Sequence, residues 1–175
     1  MTTNDKNMIY AMREDAERGF RLLMQSYKEP LYWHIRRLVV SHDDAQDAAQ
    51  EAFIRIYRSF SQFNEAKSLR AWLFRIATNE ALRLIERRRA DTMPIEKVFD
   101  MQADSYTDYS DLETVRLQKA ILQLPPKQQL VFNLRYYDEM DYDEIAQIAD
   151  TTAASVKASY HVAKEKIIKF MTSND

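Results

Sequence analysis

A run of short polar and cationic side chains near the C-terminus has the types and spacing needed to contact DNA bases and phosphates. The run comprises Ser155, Lys157, Ser159, His161 and Lys164. Four apolar residues recur among them at steps of four, three and four: Val156, Tyr160, Ala163 and Ile167. This spacing predicts a helix with one buried stripe. The polar residues would then lie on the outward face, which can enter a major groove.

The residues before this helix predict the elements that would position it. Pro125 and Pro126 favour a helix start, because proline costs least in the first turn. Asp141 and Glu144 can cap a second helix reciprocally, and Thr152 can cap the helix that carries the polar run. The segment therefore predicts two short helices and a tight turn, the layout of a helix-turn-helix.

A second candidate for DNA contact is a cluster of cations in the middle of the chain. Its members are Lys67, Arg70, Arg75, Arg83, Arg87, Arg88 and Arg89, against only Glu80 and Glu86. An acidic stretch follows directly, so the formal net charge of -2 hides both regions. The basic cluster is compatible with a nucleic-acid partner, and the acidic stretch reads as a flexible linker.

Composition excludes several classes of function. Gly19 is the single glycine, so glycine-rich phosphate-binding loops are absent, and without cysteine there is no thiolate chemistry. No apolar run is long enough to span a membrane, and the N-terminus does not resemble a signal peptide. We therefore expect a cytoplasmic protein.

The fold class predicted is all-α, with two small helical domains joined by a flexible acidic linker. We place the domains at residues 1–90 and 112–175 and the linker at residues 91–111. Apolar periodicity predicts N-terminal helices at residues 15–27, 30–40, 43–60 and 69–90, and Ser41 is a candidate cap for the third of these.

Both halves resemble the extracytoplasmic-function (ECF) sigma factors, which are sigma-70 family proteins that keep only regions 2 and 4. The N-terminal resemblance rests on DDAQDAAQEAFIRIYRSFSQF and LRAWLFRIATNEALRLIERRR. The C-terminal one rests on LPPKQQLVFNLRYY, YDEIAQIA and SVKASYHVAKEKI. Asp150 replaces the family's usual glycine, and Ser159 and Val162 replace arginines, so we expect weaker phosphate anchoring by the last helix.

The resemblance implies three sets of binding residues. The set for core polymerase is Asp44, Asp47, Gln50, Glu51 and Phe53. The set for the -10 element is Phe63, Lys67, Trp72, Arg75, Asn79, Arg83, Arg87 and Arg88, although Trp72 and the nearby Phe60 also have the spacing of core residues. The set for the -35 element is Thr152, Ser155, Lys157, Ser159, His161 and Lys164.

The resemblance also implies the activity and the partners. It implies a sigma factor that binds core RNA polymerase and promoter DNA, recognises the -35 and -10 elements and promotes melting. An anti-sigma factor, often membrane-bound in this family, is a further implied partner. Catalytic residues, metal, cofactor and small-molecule substrate are not expected.

Two alternatives stay open at this point. A helix-turn-helix regulator with an unrelated N-terminal bundle would account for the C-terminal half alone. A metal-dependent phosphohydrolase would rest on His34, His42 and Asp43, but such enzymes need further ligands converging on the metal. Capping of a helix explains His42 and Asp43 without a metal.

Overall fold

The computed structural model describes residues 1–89 and 112–173, and the secondary structure of these residues is helical, which confirms the all-α prediction. The helices are α1 (Thr3–Glu14), α2 (Ala16–Val39), α3 (His42–Ser59), α4 (Leu69–Arg89), α5 (Leu112–Leu122), α6 (Pro126–Tyr136), α7 (Tyr142–Ala149) and α8 (Ala153–Thr172), with a 3-10 turn at Phe60–Gln62. They form two compact units, α1–α4 and α5–α8. The predicted linker lies outside the described residues.

Helix α1 was not predicted. A capping box starts it: the Thr2 hydroxyl accepts from the Asp5 N–H at 3.1 Å, and the Asp5 carboxylate accepts from the Thr2 N–H at 3.2 Å. The same carboxylate, buried, accepts from the Tyr27 hydroxyl of α2 at 2.7 Å. Gly19 lies at the crossing of α1 and α2. A Cβ atom at this position would come within 2.3 Å of the Met12 Cα atom, so the close contact requires glycine.

The two helices predicted at residues 15–27 and 30–40 are one helix, α2, so the predicted break at Pro30 is wrong. Pro30 is exposed, while a buried stripe continues past it. The stripe is Leu23, Tyr27, Leu31, Ile35 and Leu38. The free energy gained by burying this continuous face outweighs the cost of the backbone hydrogen bond that proline cannot donate.

Helices α3 and α4 agree with their predicted positions to within one residue. Helix α3 begins directly after Ser41, and the 3-10 turn takes Phe60, its predicted last residue. The Ser68 hydroxyl accepts from the Ala71 N–H at 3.2 Å, which caps α4. The core of the N-terminal unit includes fully buried Leu23, Leu31, Ile35, Ile56, Leu69, Leu73 and Phe74.

The predicted helix-turn-helix is confirmed in the C-terminal unit. Pro125 occupies the N-cap position of α6, Asp141 accepts from the Glu144 N–H at 2.8 Å, and Thr152 accepts from the Ser155 N–H at 3.1 Å. Asp150 ends α7 in the left-handed conformation with φ 55° and ψ 53°, as the turn requires. Helix α8 packs against α5, α6 and α7, and its buried residues Val156, Ala163 and Ile167 belong to the predicted stripe.

Candidate nucleic-acid interface

The residues predicted to bind core polymerase lie along α3. Asp47, Gln50 and Glu51 are exposed, and their spacing of three and four places them on one face of the helix. Asp44 and Phe53 are partly buried. Carboxylates and an amide on one helical face can accept charge-assisted hydrogen bonds from arginines of a partner.

Asp44 differs from its neighbours because it already has a cationic partner. Its carboxylate lies 2.5 Å from Nη2 of Arg88 on α4, and its side chain is only 14% exposed. Arg88 belongs to the set predicted for the -10 element, so one ion pair joins two of the predicted surfaces. Arg87, its neighbour in the same set, is exposed.

The aromatic residues of the predicted -10 set form a small cluster with Phe60. The Phe63 ring lies 5.2 Å from Trp72 and 6.0 Å from Phe60, measured between ring centroids. Phe63 is 6% exposed and Phe60 8%, whereas Trp72 is partly exposed. Stacking of an extruded base on Phe63 would thus require its ring to leave this cluster, and the contact between Phe63 and DNA stays a prediction.

The polar members of the -10 set share one face of α4. Arg75, Asn79 and Arg83 are exposed at steps of four residues, which aligns them along the helix. Lys67 is exposed in the loop before α4. These side chains can reach phosphates and base edges without unfolding any element.

Sequence reasoning missed two residues beside this face. Glu80 is buried, and its carboxylate contacts Arg83 of α4 at 2.7 Å and Arg55 of α3. In the sequence, Glu80 stands out only as an acidic charge within the basic cluster. Its spacing of three from Arg83 was a signal for the local pair, but nothing in the spacing indicated the contact with Arg55.

The residues predicted for the -35 element lie on the outward side of α8 or at its start. Thr152, Lys157, His161 and Lys164 are exposed, and Ser155 and Ser159 are partly exposed. His161 Nε2 lies 3.2 Å from a Glu165 carboxylate oxygen, one turn along the helix. The buried stripe holds α8 in its unit while this polar side faces outward.

The enzyme alternative rested on His34, His42 and Asp43, and the first of these is a core residue, whereas the other two are exposed. His34 is fully buried, and its Nε2 lies 2.8 Å from the Thr78 hydroxyl of α4. Burial, with a smaller effect of the Arg37 charge, lowers the pKa of His34 to about 3. Within residues 1–89 and 112–173, no three His, Cys, Asp or Glu side chains gather as a metal site.

Where the structure describes the chain, none of its helices combines the length and the apolar character needed to cross a bilayer.

A helix-turn-helix with an open polar face, in one chain with a second helical unit bearing aligned cations, defines a DNA-binding transcription protein. Comparison with family models identifies its class. Sigma-70 region 2 matches residues 23–91, and Sigma-70, region 4 matches residues 114–167. The chain therefore belongs to the sigma-70 family and, with the relatives described next, to its ECF group. It is a promoter-recognising sigma factor that directs transcription initiation.

Similar proteins of known sequence agree with this assignment over nearly their whole length. The chain is 28% identical to the ECF RNA polymerase sigma factor SigW of Bacillus subtilis, covering 94% of this chain and 95% of the relative. It is 28% identical to the RNA polymerase sigma-H factor of Pseudomonas aeruginosa, covering 94% and 92%. The match to region 2 also answers the alternative of an unrelated N-terminal bundle.

Two solved structures share the fold. One is CnrH in complex with the cytosolic domain of CnrY, with a TM-score of 0.77 and 19% identity, covering 98% of this chain and 99% of that one. The other is the sigma factor RpoE in complex with the anti-sigma factor NepR from Bartonella quintana. Its TM-score is 0.71 at 18% identity, covering 89% and 98%.

Proposed function

We propose that α3 binds core RNA polymerase, that the loop before α4 and α4 itself contact the -10 element, and that α8 reads the -35 element. The observation that carries this proposal is the exposure of Asp47, Asn79 and Lys157, one from each predicted set, on α3, α4 and α8 respectively. Each set has the chemistry of its target: carboxylates for a cationic helix, and cations with amide or hydroxyl groups for DNA.

The protein in this proposal performs no covalent chemistry. Its binding free energy orients the polymerase on the promoter and stabilises the melted strand, while the polymerase forms the phosphodiester bonds. Such a factor acts where the chromosome and the polymerase are, so we propose a cytoplasmic location.

We also infer that an anti-sigma protein binds this chain. Two solved proteins of the same fold are in complexes: the sigma factor RpoE with the anti-sigma factor NepR, and CnrH with the cytosolic domain of CnrY. An inhibitor that covered the exposed side of α3 would compete directly with polymerase. Its cognate partner would be identified by co-purification with the native full-length chain, and loss of core binding on its addition would support the inference.

Reconstituted transcription tests the central proposal. Core RNA polymerase from the native host is mixed with the purified chain and with fragments of that host's genome, and new transcripts are mapped. We expect initiation at a limited set of sites that share two upstream elements. The absence of any initiation above that of core polymerase alone would contradict the proposal.

The polymerase interface has its own test. Replacing Asp47 and Gln50 together by alanine should weaken binding to core polymerase about tenfold, because the two exposed side chains supply polar contacts at the proposed interface. The matched control is Glu17→Ala with Gln25→Ala, two exposed residues of α2 outside the predicted sets. Unchanged affinity in the Asp47/Gln50 variant would place the polymerase interface elsewhere.

A further inference from the structure

A buried carboxylate on α4 holds two arginines from different helices. The Glu80 side chain is 5% exposed, and its Oε1 forms an ion pair with Nε of Arg55 on α3 and accepts from Nη1 of Arg83 on α4 at 2.7 Å. The two arginine side chains are each 51% exposed. One buried negative charge therefore fixes one end of two cations whose remaining surface faces solvent.

The three residues border an open groove between α3 and α4. The same groove is lined by Asn79, which precedes Glu80 in the chain and lies one helical turn before Arg83. A ligand that fills this groove would therefore face the Asn79 amide and both guanidinium groups. Since Asn79 and Arg83 belong to the set predicted for the -10 element, that ligand would be promoter DNA.

Holding an arginine before its ligand arrives has two physical consequences. An unrestrained arginine loses rotamer freedom when it binds, and an arginine already fixed by a carboxylate loses less. The Glu80 charge also offsets one of the two positive charges, which weakens the attraction to any phosphate regardless of sequence. Both consequences favour contacts that depend on position in the groove over general attraction to DNA.

We propose that Glu80 is a positioning residue that sets specificity for the -10 element by holding Arg55 and Arg83 in the groove beside Asn79. This inference rests on the proposed function of α4. It assigns a role in recognition to a buried acid that touches no DNA itself.

The test uses holoenzyme, prepared from core polymerase and the full chain, on a promoter found in the transcription assay. Initiation is compared between that promoter and the same promoter with a substituted -10 element. Glu80→Gln keeps the shape of the side chain and removes its charge. We expect its preference for the original element to fall about tenfold, within the range of one mismatched base pair, and its binding to unrelated duplex DNA to tighten.

Glu86→Gln is the matched control, because Glu86 is an exposed acid of the same helix and loses the same charge. It should keep the wild-type preference. A role of Glu80 in stability alone would lower initiation on both promoters in proportion and leave their ratio unchanged, and that result would overturn the inference. Failure of the wild-type holoenzyme to initiate at all would instead contradict the proposed function.

A second variant keeps the test decisive if Glu80→Gln does not fold. Arg83→Gln leaves Glu80 paired with Arg55 and should by itself lower the preference for the original element. Where both variants fold, the double variant Glu80→Gln/Arg83→Gln should lose less than the product of the two single losses, because Glu80 acts through Arg83. Wild-type preference in Arg83→Gln, or independent losses in the double variant, would contradict the inference.

Discussion

The two units of the molecule orient their predicted DNA-contacting side chains by different means. In the N-terminal unit, acids hold two of the cations: Asp44 pairs with Arg88, and Glu80 pairs with Arg83. In the C-terminal unit, His161 lies beside Glu165, but neither Lys157 nor Lys164 forms an ion pair with any residue that the structure describes. Their directions follow instead from the position of α8, which Thr152 caps after the turn at Asp150.

Because of this difference, we expect the two units to respond to different kinds of change. Changes in charge or pH should act mainly on the N-terminal unit, whose buried groups include His34, Arg36 and Glu80. The C-terminal unit should respond mainly to changes in packing and backbone geometry. The two tryptophans, Trp33 and Trp72, both lie in the N-terminal unit, so tryptophan fluorescence reports its unfolding separately.

The largest expected effect is the loss of N-terminal stability in acid. The pKa of His34 is about 3 in the folded unit, against an unfolded value of about 6.5, so the folded state favours neutral imidazole. The contribution of His34 to the free energy of unfolding is complete above its unfolded pKa. It falls by about 1.4 kcal/mol per pH unit as pH drops toward 3, on the order of 5 kcal/mol in all.

Urea unfolding followed by tryptophan fluorescence across this pH range measures the loss. His34→Leu removes the titrating group, and Thr78 keeps its hydrogen bond to the Phe74 carbonyl at 2.7 Å. We expect this variant to lose much of the pH dependence between pH 6 and pH 4. Equal slopes in the two proteins would show that other groups cause the acid sensitivity of this unit.

The next largest effect should come from Gly19→Ala, which disrupts the contact between α1 and α2. The added methyl group would meet the Met12 backbone at 2.3 Å, so the helices must separate. We expect a loss of about 3 kcal/mol in the free energy of unfolding of the N-terminal unit. Gln25→Ala, at an exposed position of α2, is the control, and both are compared by tryptophan fluorescence. A Gly19→Ala protein as stable as this control would contradict the close crossing.

The same helix pair shows what the sequence could and could not predict. Thr2 and Asp5 carry the spacing of a capping box, so α1 had a recognisable signal, but its largely polar composition hid the short apolar face of Met8, Ile9 and Met12. At Pro30 the local rule for proline failed, because the buried stripe of α2 extends to both sides of it. Packing between helices therefore determines both the formation of α1 and the continuity of α2 through Pro30.

The helix-turn-helix was predictable because its signals are local. Pro125, Asp141 and Thr152 each act within one turn of their own helix, and Asp150 takes the turn conformation that its position demands. The pairs Asp44–Arg88 and Arg55–Glu80 join separate helices, so no spacing within one helix indicates them. The elements that carry the predicted residues were therefore predictable where local geometry alone determines them.

A smaller, stabilising effect is expected in the C-terminal unit from Asn133→Leu. Asn133 of α6 is 1% exposed, and neither polar atom of its amide has a hydrogen-bond partner among residues 1–89 and 112–173. Replacing an unsatisfied buried amide by an apolar side chain of similar size should raise the free energy of unfolding by about 1 to 2 kcal/mol. Circular dichroism should show later unfolding of the C-terminal unit while tryptophan fluorescence is unchanged. Destabilisation would indicate that the amide has a polar role in this core.

The smallest expected effect is on the salt dependence of DNA binding, and it differs between two neighbouring arginines of α4, Arg87 and Arg88. Each duplex phosphate contact contributes about 0.9 to the slope of log affinity against log salt concentration. Arg87→Ala should lower that slope by about this amount for the free chain on unrelated duplex DNA. Arg88→Ala should lower it by less, because the Asp44 carboxylate at 2.5 Å already compensates the Arg88 charge.

Asp44→Asn makes this comparison decisive, since it leaves Arg88 without that charge partner. In the Asp44→Asn background, removal of Arg88 should lower the slope as much as removal of Arg87 does. If Arg88→Ala has the same effect with Asp44 or Asn at that position, then the ion pair does not restrain Arg88 in solution. The contrast between a unit organised by paired charges and one organised by helix geometry would then hold only for the buried Glu80.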